Sequence, residues 1–267
     1  MCLFYGCAMN TAGRLLSIYD QLLSRSRGKD ARMTSVWAEI FELETSNPHL
    51  EDEVVMCLQA LRSEVGLLST RLLSLGAPND LMEPGISRFR TVTSTTQLNV
   101  GLRNLVDHIN PPENRLAFAW ANWALRAESE ADMPADELVE LRSELDSLEA
   151  SLQDTEMTPY LRDFIQRQIS AIRNALRVYK VQGVKPIEEA LHQVAGAYTV
   201  EKNEVEAQQM KASGDAQNLF ARTGELIKRT AEVADNLDKI RKAGEGAYTL
   251  AASVAPLVLV YGQSLLK

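Results

Sequence analysis

Between residues 50 and 75 the apolar positions Leu50, Val54, Leu58, Leu61, Val65, Leu68, Leu72 and Leu75 recur at steps of three or four only. That spacing holds one stripe on one side of an α-helix and would scatter it over both faces of a strand. The same signature returns at Leu138, Leu141, Leu145, Leu148 and Leu152, with Glu137, Glu140, Glu144, Asp146 and Glu149 on the other faces. The main β-branched cluster, residues 90–96, is polar and Thr-rich and reads as loop. The chain is therefore expected to be all-α: a bundle of long antiparallel helical hairpins, about ten helices, with an apolar C-terminal helix.

Helix punctuation divides the rest. A helix from Thr11 carries Leu15, Leu16, Ile18, Tyr19, Leu22 and Leu23; a second, after a turn at Gly28, carries Val36, Trp37, Ile40 and Phe41. Asn47-Pro48 reads as an N-cap and first residue for the long seam, which Gly76 and Pro78 stop. Residues 77–95, with Pro78, Pro84 and Gly85, read as the longest irregular stretch, followed by a helix from Thr96 with Leu98, Leu102, Leu105 and Ile109. Leu116, Phe118, Ala119, Trp120 and Trp123 form an aromatic-rich segment, expected to anchor the core rather than line a ligand pocket. Segments 134–155 and 158–182 make an αα-hairpin, with Thr158-Pro159 opening its second arm and Gly183 ending it; Pro186 starts the next helix. Residues 200–218 are polar, either a solvated helix or a link, before the apolar pattern resumes at Leu219 and Phe220. The expected organisation is thus a dispensable extension over 1–9, a helical bundle over 10–199, the polar segment 200–218, and a C-terminal helical part over 219–267.

Composition removes whole classes of function. With 45% hydrophobic and 24% charged residues in 267, the chain has the make-up of a packed domain rather than of a disordered segment. A net charge of −8 disfavours non-specific nucleic-acid binding, and no specific nucleic-acid partner is expected. Cys2, Cys7 and Cys57 offer no CxxC, and His49, His108 and His192 no HExxH, so no metal or cofactor is expected. Phosphate-binding glycine loops and the nucleophile-elbow motif are missing too. Cys57 fits a helix core, and the reduced thiols fit the cytoplasm.

Two resemblances remain. Arg103, Asn104 and His108 are spaced like the R-x4–6-H pattern of HEPN ribonucleases, which are also all-helical. The resemblance implies an Arg that stabilises phosphate charge and a His that moves a proton, converging across a dimer interface. In addition, Asn10-Thr11-Ala12-Gly13-Arg14-Leu15 followed by Val36-Trp37-Ala38-Glu39-Ile40-Phe41 resembles a set of bacterial helical proteins that open on N-P-A-G-R-L-like and V-W-A-x-x-F segments. Thr11 replaces the proline here, and the resemblance brings no catalytic residues with it.

The end of the chain departs from its average. Residues 246–266 hold no charge and include Leu250, Val254, Leu257, Val258, Leu259, Val260 and Leu265, with Pro256 in the middle. Twenty residues at about 1.5 Å each would just cross a ~30 Å hydrocarbon layer, and the same composition suits a helix buried in a bundle. Gly244 and Gly246 would be the hinge. The expectation is a non-enzymatic bacterial interaction or effector protein, such as a defence or toxin component. Its terminal helix would insert into the inner membrane or mediate self-association or binding of a protein partner. The HEPN-like ribonuclease and a soluble scaffold with that helix in its core are the alternatives.

Overall fold

A computed structural model describes residues 9–128, 130 and 132–241, with side chains through Asp235. Among the described residues there are ten α-helices and no strand; the protein is all-α. The chain divides into two compact units: residues 8–129 together with Lys180–Gly183, and Glu130–Tyr179 together with the chain from Val184 onward.

The N-terminal unit holds α1 (Thr11–Ser26), α2 (Met33–Phe41), α3 (Leu50–Ser74), α4 (Asn79–Val92), α5 (Val106–Ile109) and α6 (Pro112–Ala124). Asn10 caps α1 through its side chain, which accepts from the Gly13 N–H, while its amide donates to the Asn122 carbonyl at 3.0 Å. Its core meets at three rings: Tyr19 of α1, Phe89 of α4 and Phe118 of α6, with centroids 5.1–5.8 Å apart. Trp37 and Phe41 stack inside α2, and Cys57 is buried in α3. The last turn of the long helix that follows, Lys180–Gly183, also belongs here. Arg14, buried, donates from Nε to the Val181 carbonyl; Lys180 pairs with Glu42 at 2.6 Å; Gln182 donates to the buried Glu64.

Two expectations about this unit are corrected. Most of residues 77–95 is not irregular but forms α4 around Pro84. Proline there forfeits one intrahelical bond near the start, and burial of Met82, Ile86, Phe89 and Val92 outweighs that loss. The helix expected from Thr96 is instead a pair of 3₁₀ turns, Thr95–Gln97 and Leu102–Leu105, leading into the short α5. Main-chain bonds from Met33 and Thr34 to the Val100 and Leu98 carbonyls, and from Leu102 to Ala31, draw this backbone out of helical geometry.

The C-terminal unit is a four-helix bundle of α7 (Ala135–Asp154), α8 (Pro159–Gln182, through Tyr179), α9 (Lys185–Lys211) and α10 (Gly214–Arg241). Arg173 of α8 pairs with Asp146 and Glu149 of α7, and Arg229 of α10 with Glu137, Glu140 and Glu144 of α7. Further contacts of Arg142 with the Leu176 carbonyl, Arg162 with the Leu152 carbonyl, and Arg222 with Ser147 and Ser151 make both α8 and α10 antiparallel to α7. Arg167 of α8 reaches Glu201 of α9. The expected hairpin over 134–182 is present, with the seam Leu141, Leu145, Leu148 and Leu152 buried against Phe164, Ile165, Ile169 and Ile172. Gly183 ends α8 at φ 69°, where a side chain would be strained. Most of the polar 200–218 stretch is the C-terminal end of α9, partly exposed but with Val205 buried in the core, and a turn at Ala212 and Ser213 leads into α10.

Candidate functional site

The sequence readings for the C-terminal segment, Leu250, Val254, Pro256, Leu257, Val258, Leu259, Val260 and Leu265 with the hinge Gly244 and Gly246, lie outside the described residues. Among the described residues no helix is long and apolar enough to cross a membrane, and no group of three or more His, Cys, Asp or Glu could hold a metal ion.

Arg103 and Asn104 lie on the second 3₁₀ turn and His108 on α5. The Arg103 N–H donates to Asp30 Oδ1 at 3.0 Å, and the His108 carbonyl accepts from Asn114 Nδ2 at 2.8 Å. Both contacts use the backbone of the motif residues. The Arg103 guanidinium is exposed, His108 is half-buried, and among the described residues no hydrogen bond or ion pair joins the two side chains.

The unexpected surface is on α6. Phe118 is fully buried, whereas Leu116, Trp120 and Trp123 are 54%, 64% and 60% exposed. The expectation that this aromatic segment anchors the core therefore holds for Phe118 and fails for its two tryptophans. The reason is backbone proximity. α6 turns its small residues inward: a Cβ on Gly85 of α4 would lie 3.1 Å from both Ala117 Cβ and Asn114 Cα, and one on Gly13 of α1 would lie 3.0 Å from Asn122 Oδ1. With α1 and α4 this close to the Asn114, Ala117 and Ala121 side of α6, the bulky residues on its far side face water.

This outer face is ordered by its own contacts. Trp120 and Trp123 meet edge to face at 5.9 Å, and the Arg126 guanidinium lies 4.5 Å over the Trp123 ring while donating to the Trp123 carbonyl. Glu128, in the same 3₁₀ turn as Arg126, receives two bonds from Arg71 of α3 at 2.6 and 3.0 Å. Leu67 and Leu75, one turn to either side of Arg71, are more than half exposed. Isolated surface leucines are ordinary; a three-residue stripe holding two of the chain's 3 tryptophans is not.

The C-terminal unit carries one charge cluster. Glu201 accepts from Tyr160 and from Arg167, both at 2.7 Å, and the Arg167 bond holds its carboxyl below the usual carboxylate range. Burial, then the bond to Glu201, pushes the Tyr160 phenol up to about 12; burial and the Glu206 carboxylate do the same for Tyr198. In an absorbance titration of phenolate, both tyrosines should stay silent until about pH 12. Glu201→Gln should bring Tyr160 back toward 10.0 and leave Tyr198 unmoved; an unchanged curve would dissolve the cluster. The depressed Glu201 stabilises the fold above the ordinary carboxylate range, and this contribution disappears as pH falls through its folded value. With Arg167 more than half exposed the effect is modest, under about 1 kcal/mol.

No protein-family model, curated protein or solved structure matches the chain. The class that fold and surface define is an all-α protein with an outward aromatic helix face. The segments Asn10–Leu15 and Val36–Phe41 have structural work within the N-terminal unit: Asn10 caps α1, Gly13 lies against Asn122, Arg14 holds the Val181 carbonyl, and Trp37 stacks on Phe41.

Proposed function

We propose that this protein acts by association rather than by catalysis, with the Leu116, Trp120 and Trp123 face of α6 as a binding surface. The uncharged segment 246–266 is its second apolar element, suited by composition to membrane insertion or oligomerisation. The exposure of Trp120 and Trp123 carries the reading. A tryptophan presents about 150–250 Å² of surface. At 60% or more exposed, the pair leaves roughly 200–300 Å² in water, whose burial is worth on the order of 5–8 kcal/mol before association costs. Aromatic residues backed by arginine are the side chains on which interfaces concentrate their binding energy.

Quenching of tryptophan emission by acrylamide tests this, because Trp37 is buried and serves as an internal reference. Trp120 and Trp123 should be quenched in dilute chain and protected as chain concentration rises or as anionic vesicles are added. Removal of 246–267 should abolish any flotation with vesicles. Unprotected tryptophans under every one of these conditions would refute the association reading.

A further inference from the structure

We infer that Lys29, Arg32 and Arg103, with Arg27 at their flank, form a docking ledge for the phosphate headgroups of an anionic lipid surface. The choice of a lipid partner rests on the association reading above. The ledge itself is a different element of the N-terminal unit from the Trp120 and Trp123 face.

The backbone assembles the cluster. After the turn at Gly28, whose N–H donates to the Arg25 carbonyl, residues 31–34 run antiparallel to 98–102. The Leu102 N–H donates to the Ala31 carbonyl at 2.9 Å and the Met33 N–H to the Val100 carbonyl at 3.0 Å, which sets Arg32 directly opposite Gly101. Arg103, two residues beyond Gly101, then stands on the diagonal from Arg32, roughly 7–8 Å away. The Asp30 carboxylate lies against Gly101, where an added Cβ would be 3.1 Å from it, and accepts the Arg103 N–H across 73 positions of chain.

Within a chain of net charge −8, segments 24–34 and 93–106 hold five cations, Arg25, Arg27, Lys29, Arg32 and Arg103, against the single carboxylate Asp30. Arg25 is engaged by Glu39, and elsewhere in the unit Arg71, Arg88, Arg90 and Arg115 each pair with a carboxylate. Arg27, Lys29, Arg32 and Arg103 are exposed and, among the described residues, have no ion pair. The negative end of the α1 dipole accounts for Arg25 and Arg27, which lie within a turn of its last residue. It does not account for Lys29, Arg32 and Arg103, whose charge is left for an anion from outside.

Guanidinium forks match phosphate oxygens in pairs, so a cluster led by arginine selects phosphate. Neither segment contains an aromatic residue, so the bases of a nucleic acid would find no stacking platform there. A bilayer presents phosphates in an array and also accommodates the uncharged 246–266 segment and exposed tryptophans, side chains that settle at headgroup level. The attraction acts within a screening length of about 8–10 Å, so acidic residues remote from the ledge oppose it little.

Flotation of the full-length chain reads the ledge. The chain should float with vesicles of phosphatidylcholine and phosphatidylglycerol and far less with phosphatidylcholine alone, and the difference should shrink as salt is raised. A triple variant, Lys29→Gln, Arg32→Gln and Arg103→Gln, should bind the anionic vesicles on the order of a hundredfold more weakly, about fivefold per charge. Its fold should be intact by circular dichroism, because the three side chains are exposed and the Arg103 bond to Asp30 uses the main chain. A charge-matched variant of α9, Lys185→Gln, Lys202→Gln and Lys211→Gln, should bind like the parent. Equal binding by the two triple variants, or equal flotation with neutral and anionic vesicles, would overturn the ledge and leave the association reading standing. Retention of single-stranded RNA that the ledge variant loses, with no preference for anionic vesicles, would overturn the lipid assignment in favour of a nucleic acid. Charge-dependent flotation with Trp120 and Trp123 still open to acrylamide would uphold the ledge and count against the α6 face.

Discussion

Phe118→Ala is expected to destabilise the N-terminal unit by about 3–5 kcal/mol, while Trp120→Ala, two positions along the same helix, should change its stability by no more than about 0.5 kcal/mol. The Phe118 ring is fully buried and contacts the rings of Tyr19 and Phe89, so its loss opens a cavity where α1, α4 and α6 converge. Tyr19 is further fixed by a hydrogen bond from its hydroxyl to the Ile109 carbonyl, which limits how far the site can collapse. Trp120 has no such role and is 64% exposed. Trp37, Trp120 and Trp123 all belong to the N-terminal unit, so urea unfolding followed by tryptophan emission reads that unit without interference from the four-helix bundle. With a denaturant slope of about 1–3 kcal/mol per molar, the Phe118→Ala midpoint should fall by roughly 1–5 M. Equal destabilisation by the two variants would mean that the outer face of α6 is packed, and would remove the ground for a binding surface there.

Gly85→Val should cost the same unit about 1–3 kcal/mol or more, even though glycine is the poorer helix former. A β-carbon at this position already lies 3.1 Å from Asn114 Cα, a backbone atom that no rotamer change can move aside. The two γ-methyls of valine would force α4 and α6 apart. Separation would also strain Asn114, whose amide donates to the His108 carbonyl and whose oxygen accepts from Arg88. Gly85→Ala should come close to neutral, since the gain of about 0.5–1 kcal/mol in helix propensity offsets a contact that a few tenths of an ångström relieve. A valine variant as stable as the parent, by the same urea titration, would show that α4 and α6 are not in backbone contact.

Those glycines also explain what could be read in advance. The α7–α8 hairpin was legible because its signals are local and agree: a 3-4-3-4 leucine seam, a threonine cap, and a glycine at Gly183 that occupies positive φ. Its union with α9 and α10 in one bundle was not, because the polar stretch 200–218 reads as a boundary and is mostly α9. The inward side of α6 was not legible from periodicity. Leu116, Ala117, Phe118, Ala119, Trp120, Ala121 and Trp123 are apolar almost all round the helix, so hydrophobicity selects no face. The side is chosen by which residues are small enough to meet Gly13 and Gly85, a pairing of distant positions that no local window contains. α4 was missed for a related reason, since Pro84 and Gly85 are helix breakers by propensity and are overruled by tertiary burial. The R-x4-H spacing carried no geometry of its own, and the fold uses the backbone of both residues as anchor points.

The N-terminal unit is closed by four residues that follow it by some fifty positions, Lys180–Gly183. During synthesis at about 5–20 residues per second, Arg14, Glu42 and Glu64 would wait roughly 6–33 s for Val181, Lys180 and Gln182 to emerge. The two units are therefore not interchangeable modules joined end to end. The first to be translated is completed only when the second helix-to-helix turn of the second has been reached, and its integrity depends on a stretch of chain that most of the bundle's second helix must precede.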